Sequence, residues 1–75
     1  MTVSQLIEML KKAPQDSTVL LFPAHDPDVN EILVSEEVDE LSGDIIPLVT
    51  LTDSVEALLS FYDISDEEVK EIIKE

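Results

Sequence analysis

Carboxylates are the most abundant groups in this chain that could do chemistry, and many of them lie in one stretch. Residues 26–44, DPDVNEILVSEEVDELSGD, contain eight acids and neither lysine nor arginine. These acids are Asp26, Asp28, Glu31, Glu36, Glu37, Asp39, Glu40 and Asp44. A second acidic cluster follows at Asp66, Glu67 and Glu68. Dense carboxylates attract cations and basic surfaces, so ionic recognition is the chemistry that these residues indicate.

The acids of the first stretch have the spacing of a strand with one charged face. Ile32, Val34 and Val38 are separated by even numbers of residues, which predicts that they share a buried face. On the opposite face, residues two apart lie about 6.7 Å from each other. That is close to twice the spacing of about 3.4 Å between phosphates along one strand of DNA. Glu37 and Asp39 have this spacing, and Glu31 lies farther along the same face, so the strand is predicted to imitate a row of phosphates.

A calcium site is an alternative use of the same acids. Asp26, Asp28 and Asn30 have the D-x-D-x-N spacing of a calcium loop, and Glu37 stands at its twelfth position. However, Glu31 occupies the sixth position, where glycine permits the sharp turn, and a strand follows where a helix is required. A turn stabilised by Asx hydrogen bonds is the better interpretation. We therefore predict no metal and no cofactor.

Catalysis has little support in this sequence. His25 is the single histidine, and the chain contains neither cysteine nor a G-x-S-x-G motif to provide a nucleophile for it. The carboxylates are so numerous that no particular pair indicates acid–base chemistry. We predict that the protein is not an enzyme.

The charge balance restricts the partners. The formal net charge is −14, and fifteen carboxylates but no basic residue lie between Lys12 and Lys70. Binding to nucleic acid or to an anionic membrane surface requires basic groups, so the sequence argues against both. A basic protein surface fits this charge, although acidity also serves solubility alone.

The composition predicts one folded domain over residues 1–75. This length is near the lower limit for a hydrophobic core without disulfides or metals, and the chain has no cysteine. No apolar run approaches the roughly 20 residues of a membrane span, and the N-terminus lacks the pattern of a signal peptide. We expect a cytoplasmic protein.

Helix and strand patterns show how the acids would be positioned. Residues 2–12 are predicted as a helix that starts with a capping box and ends before Pro14. The apolar run at residues 18–22 predicts a strand covered on both faces and therefore central in the sheet. Residues 31–38 and 45–51 are predicted as strands joined by a turn at Gly43, with a bulge or strand end near Glu36.

Two short helices are predicted in the C-terminal region. Asp53 with Glu56, and Ser65 with Glu68, have the spacing of capping boxes. Apolar residues at helical spacing follow each pair: Val55, Leu58, Leu59 and Tyr62, then Val69, Ile72 and Ile73. The prediction is an α+β fold in the order α-β-β-β-α-α. In it, an N-terminal helix packs on a three-stranded, mostly antiparallel sheet that two short C-terminal helices close.

The opening of the chain resembles a known group of proteins. The residues that carry the resemblance are Met1, Thr2, Val3, Leu6, Ile7, Leu10, Pro14, Asp16 and Val19. This pattern is similar to that of small uncharacterised proteins of bacteriophages and prophages, over about residues 1–51. The resemblance implies a helix that leads through a Pro-x-Asp turn into a small antiparallel sheet. It also implies a phage-like genomic setting, and it supplies no catalytic motif.

Two functional hypotheses follow. In the first, the protein is a non-enzymatic inhibitor that binds the basic, nucleic-acid-facing surface of a host nuclease, CRISPR effector or repair enzyme. The acids of residues 26–44 and 66–68 would imitate nucleic acid. In the second, it is an interaction or self-assembling accessory module whose acids serve only solubility. Leu59, Phe61 and Tyr62 are expected mainly in the core, with Leu33 and one of the two aromatic residues exposed for a partner or a homodimer.

Overall fold

A computed structural model describes residues 1–23 and 28–74. In these ranges the chain forms α1 (Val3–Leu10), β1 (Thr18–Phe22), β2 (Glu31–Val38), β3 (Ile45–Thr52), α2 (Val55–Tyr62) and β4 (Val69–Lys74). The strands make one sheet in the order β1-β3-β2-β4. Strand β2 is antiparallel to β3 and β4, whereas β1 is parallel to β3. The fold is α+β, but the predicted three-stranded, mostly antiparallel sheet with three helices is wrong.

One helix packs on each face of the sheet. On the first face, Met9 and Ala13 contact a buried cluster of sheet residues, namely Ile32, Val34, Val49 and Ile73. On the other face, Leu33 packs with Val55 and Leu58 of α2. Successive residues of a strand point to opposite faces, so these are two separate cores, which we name the α1 face and the α2 face. Leu33 was predicted on an exposed face, but it is fully buried because α2 covers that face.

Strand β1 lies at an edge of the sheet and not at its centre. It pairs with β3 in parallel, with Val19 opposite Val49 and Leu21 opposite Leu51. Val19 is 60 % exposed and Leu21 is 67 % exposed. An apolar run cannot distinguish a covered strand from an open one, because the covering comes from neighbours that are distant in sequence.

Strand β4 replaces the predicted third helix. Ser65 and Glu68 do interact, since the Ser65 hydroxyl lies 3.3 Å from Glu68 Oε1 and the Glu68 N–H donates to the Ser65 carbonyl at 3.1 Å. This local turn leads into a strand antiparallel to β2. Val69 packs against the core of the α2 face and Ile73 lies in the core of the α1 face. A strand presents residues to both faces at once, whereas the apolar stripe of one helix serves a single face.

Helix α1 starts as its sequence predicts. Gln5 N–H donates to Thr2 Oγ1 at 3.2 Å, and Thr2 N–H donates to Gln5 Oε1 at 2.7 Å, which completes the capping box. Met9 is the buried residue of the helix, Leu6 and Leu10 pack against the core, and Val3 and Ile7 are exposed.

Helix α2 starts one residue later than its capping signature predicts. Ser54 is the N-cap residue, and its hydroxyl accepts a hydrogen bond from Ala57 N–H at 3.2 Å. The helix ends at Asp63, which adopts a left-handed backbone conformation with φ of 52°. This reversal directs the chain towards the turn that precedes β4.

Strands β2 and β3 form the predicted hairpin. Their register pairs Val34 with Val49 and Val38 with Ile45. Gly43 closes the turn with φ of +76°. The pairing of β2 with β4 shifts register between Val34 and Ser35, close to the predicted irregularity at Glu36.

Candidate protein-binding groove

Between α2 and the β2–β3 hairpin lies a groove that we call the acidic groove. Its volume is about 790 Å³, a size typical of ligand-binding clefts. Strands β1, β2 and β3 line it on one side, and α2 with the turn before β4 lines it on the other. The lining residues are carboxylates, apolar residues, two serines and a threonine.

Five carboxylates come together at this groove from two distant segments. Glu36, Glu37 and Glu40 belong to β2 and the turn after it, while Glu67 and Glu68 precede β4. A hydrogen bond from Glu36 N–H to the Glu68 carbonyl, 3.2 Å long, holds the two segments side by side. Three acids predicted on the hairpin and two predicted on a third helix therefore line one groove.

A single ion pair partly offsets this charge. Lys70 Nζ lies 3.0 Å from Glu36 Oε1 and 3.4 Å from the Glu67 carbonyl oxygen. Among the described residues that line the groove there is neither lysine nor arginine. Glu37, Glu40, Glu67 and Glu68 are exposed, so their charges are available to a ligand.

The apolar part of the groove comes from strands of the sheet, from α2 and from the segment after α2. Leu20 of β1, Leu48 of β3 and Leu58 of α2 line it, together with Ile64 after α2. These residues were not predicted as site residues. No local signal in the sequence identifies them, because only the strand order β1-β3-β2 brings Leu20 and Leu48 beside the acids of β2.

An aromatic cluster lies at the α2 side of the groove. The ring centroid of Phe22 lies 5.4 Å from that of Phe61 and 5.5 Å from that of Tyr62, and the latter two are 4.9 Å apart. Phe61 is 70 % exposed and Tyr62 is 59 % exposed, so both aromatic residues of α2 lie at the surface rather than in the core. Tyr62 lines the groove directly. Exposed aromatic rings beside a groove are typical anchors for a protein ligand.

Glu31 has a structural environment that differs from the predicted one. Its Oε1 accepts a hydrogen bond from Val55 N–H at 2.9 Å, and its Oε2 lies 3.3 Å from Lys74 Nζ. The carboxylate is thus directed to the start of α2. It does not extend a row of charges with Glu37.

The predicted row of phosphate-like charges does not continue beyond Glu37 either. Strand β2 ends at Val38, and Asp39 belongs to the turn, where its Oδ1 accepts a hydrogen bond from Leu41 N–H at 2.9 Å. The Asp44 carbonyl closes the same turn by accepting from Asp39 N–H at 2.8 Å. Of the hairpin acids, Glu36, Glu37 and Glu40 line the groove and Asp39 and Asp44 do not, so these acids form no regular row.

The remaining predicted acids lie elsewhere or outside the described ranges. Asp28 and Asp66 are exposed and are not among the residues that line the groove. Asp26 and His25 lie outside residues 1–23 and 28–74, and the calcium-loop alternative, which needs Asp26, lies there with them.

Neither a metal centre nor a membrane span is found in the part of the chain that the structure describes. There, no three His, Cys, Asp or Glu side chains are grouped so that they could hold a metal ion. Neither described helix is long and apolar enough to cross a bilayer. Comparisons with protein-family models, with curated proteins and with solved structures find no match to this chain.

Proposed function

We propose that this protein is a non-enzymatic inhibitor that binds the basic, nucleic-acid-facing surface of a host protein. The acidic groove would hold lysine and arginine side chains of the partner, and nucleic acid would then be excluded from the surface that they form. The observation that carries this proposal is the convergence of Glu36, Glu37, Glu40, Glu67 and Glu68 on one groove.

Electrostatics supports a basic partner. Carboxylates on opposite sides of a groove with apolar walls attract cations more strongly than the same charges spread over a surface. Long-range attraction would speed the encounter, and the apolar lining with Tyr62 would retain the partner after contact. Nucleic-acid mimicry would then depend on charge density around a groove and not on a row of phosphate-like spacing.

The cellular setting belongs to the same proposal. The resemblance of residues 1–51 to phage and prophage proteins supports a host-cell partner, such as a nuclease, a CRISPR effector or a repair enzyme. Such partners act in the cytoplasm, and we propose that location for this protein.

The experiment is a capture assay in which tagged protein is incubated with bacterial lysate and eluted by a salt gradient. Bound proteins are identified by mass spectrometry, and each is then tested in purified form for competition with duplex DNA and with RNA. We expect a nucleic-acid-binding protein that is released as salt rises, because screening weakens attraction between exposed charges. We also expect nucleic acid to displace the inhibitor.

Matched variants make this experiment specific to the groove. The triple variant Glu37→Gln, Glu40→Gln, Glu67→Gln removes three exposed groove charges. The control Glu8→Gln, Asp16→Asn, Glu71→Gln removes three exposed charges elsewhere and changes the net charge of −14 by the same amount. Loss of capture in the first variant alone supports the proposal. Equal capture by both, or capture that does not respond to salt, contradicts it.

The exposed aromatic pair favours a second candidate, an interaction module whose acids serve only solubility. Phe61 is the most exposed aromatic side chain of the described residues, and it does not line the groove. In this case binding would be nearly independent of salt. It would fail in Phe61→Ala and survive in the groove triple variant.

A further inference from the structure

Strand β1 is both a wall of the acidic groove and an open edge of the sheet. Its Leu20 and Phe22 line the groove. Among the described strands β3 alone pairs with β1, so the other side of β1 is unpaired. Residues 18–22, TVLLF, contain neither a charged side chain nor proline. An edge of this kind presents backbone N–H and C=O groups to which an extended segment can add as a further strand.

Strand β4, at the opposite edge, is protected against such addition. It carries Lys70, Glu71 and Lys74, and its pairing with β2 contains a register shift. Charged side chains and bulges are usual means by which edge strands avoid pairing with other chains. Of the two edges of the described sheet, β1 is therefore the one open to a further strand.

Strand β1 presents a different environment on each face of the sheet. Phe22 packs against the core of the α2 face, and Leu20, two residues away, points to the same face. Val19 and Leu21 point to the α1 face, where they are 60 % and 67 % exposed. A strand beside β1 would alternate its side chains in the same way. One set would lie at the acidic groove and the other set beside Val19 and Leu21.

The α2 face favours basic side chains in the added strand. The groove is apolar at β1, whereas its five carboxylates lie farther in, at β2, in the turn after it and before β4. Strands are about 4.8 Å apart, so a strand added to β1 would lie about 14 Å from β2. Lysine and arginine could place their aliphatic stems on Leu20 and Leu48 and direct their charges towards the carboxylates.

The α1 face favours apolar side chains in the added strand. The flank of α1 that contains Gln5 shares a small groove with Lys74 of β4. Since β4 and β1 are at opposite edges, the other flank of α1, with Val3 and Ile7, is turned towards β1. Both residues are exposed, Val3 to 76 %. Together with the exposed residues of β1 they form an apolar surface of the kind that binds a further protein segment.

We propose that an extended, basic segment of the partner protein adds to β1 as a further strand, in which lysine or arginine alternates with apolar residues. The basic side chains point to the acidic groove, and the apolar ones lie beside Val19 and Leu21. This inference rests on the proposed function, because it describes how a basic partner binds at the groove. Charge determines the occupant, since a chain of net charge −14 attracts a basic segment and repels a second copy of itself.

Fluorescence anisotropy with the full chain and labelled synthetic peptides tests the alternation. The probe is a peptide of about eight residues in which lysine and valine alternate, which is long enough for a typical strand. A control peptide of the same composition has pairs of lysines followed by pairs of valines, so it cannot place the two kinds on opposite faces. We expect the alternating peptide to bind at least about tenfold more tightly. Equal affinity of the two peptides overturns the proposal.

Backbone methylation of the alternating peptide separates strand addition from charge attraction. N-methyl groups on its consecutive central residues remove N–H donors from both edges of the peptide and leave every side chain and charge in place. We expect the affinity to fall at least about tenfold, because several backbone hydrogen bonds are lost. Unchanged affinity overturns strand addition. The inhibitor function is decided independently, by lysate capture with the groove triple variant.

Val19→Lys changes the proposed edge in the protein itself. It adds a positive charge and removes an apolar contact, so we expect it to weaken binding of the alternating peptide at least about tenfold. Ile45→Lys is the matched control, because Ile45 is also 60 % exposed and lies in β3 beyond the residues that pair with β1. Weaker binding in Val19→Lys alone supports the proposal. Equal effects of the two substitutions overturn it.

Two further measurements complete the test. Circular dichroism establishes that both variants are folded, and the methylated peptide tests the wild type if Val19→Lys is not. Analytical ultracentrifugation of the wild type with and without the alternating peptide examines the other possible occupant of the edge. A monomer that binds the peptide supports the proposal. A dimer that the peptide does not dissociate assigns the edge to a second copy and overturns it.

Discussion

The carboxylate of Glu31 caps helix α2 from a distant strand, since its Oε1 accepts a hydrogen bond from Val55 N–H at 2.9 Å. Val55 is the first residue of the helix, where unpaired N–H groups and the helix dipole favour a negative charge. The same carboxylate pairs with Lys74 of β4 at 3.3 Å. One side chain thus connects the first residue of β2, the start of α2 and the last residue of β4.

We expect Glu31→Ala to lower the free energy of unfolding by about 1–3 kcal/mol, because it leaves a half-buried helix N–H without its charged acceptor. Lys74→Ala removes only the partly exposed ion pair, so it is expected to change the free energy of unfolding by less than about 1 kcal/mol. Urea denaturation followed by circular dichroism measures both values. A cost of Lys74→Ala equal to that of Glu31→Ala would show that the ion pair, and not the cap, is the stabilising interaction.

The sequence predicts Leu33 and Phe61 as possible apolar contacts for a partner, but in the structure Leu33 is buried and Phe61 is exposed. Leu33 is fully buried under α2, so Leu33→Ala is expected to cost about 2–5 kcal/mol of stability. Phe61 is largely exposed and its ring packs against those of Phe22 and Tyr62, so Phe61→Ala is expected to cost less than about 1.5 kcal/mol. Thermal denaturation of the two variants checks this order, and a reversed order would contradict the burial of Leu33.

Substitutions at Gly43 test the backbone conformation of the hairpin turn. Its φ is +76°, and a Cβ atom added there would meet nothing within 4 Å. Gly43→Ala is therefore expected to cost about 1–2 kcal/mol from left-handed strain, without any steric clash. Gly43→Asn should cost less, because asparagine tolerates this conformation.

Leu41→Ala, at a fully exposed position of the same turn, is the control and is expected to leave stability nearly unchanged. Chemical denaturation compares the three variants. Equal stability of Gly43→Ala and the wild type would show that the turn adopts another conformation in solution.

Sequence patterns predicted the elements whose signals are local. The capping box of Thr2 and Gln5, the hairpin of β2 and β3, and the turn at Gly43 are confirmed because each depends on residues close together in the chain. The errors concern long-range pairing. Val69, Ile72 and Ile73 have helical spacing, but pairing with β2 makes this segment a strand.

In the candidate site, too, local features were predictable from the sequence and long-range pairing was not. The sequence identifies Glu36, Glu37, Glu40, Glu67 and Glu68 as candidate acids, but their meeting in one groove depends on β4 lying beside β2. The apolar lining depends on the parallel pairing of β1 with β3, which places Leu20 opposite Thr50. No spacing rule within one element predicts such a pairing, because parallel strands are joined through long connections.

The groove charges also predict how stability depends on salt. Five carboxylates that share one groove repel each other more strongly than separated charges, and only Glu36 is offset by an ion pair among those described there. We expect the melting temperature of the wild type to rise from about 10 mM to about 1 M NaCl, as the Debye length falls from about 30 Å to about 3 Å. The variant Glu37→Gln, Glu40→Gln, Glu67→Gln should have a higher melting temperature than the wild type at low salt, and this difference should shrink at high salt.

The control Glu8→Gln, Asp16→Asn, Glu71→Gln removes the same net charge from outside the groove, so its gain in melting temperature should be smaller. Equal gains in the two variants would show that total charge, and not its concentration in the groove, determines the repulsion.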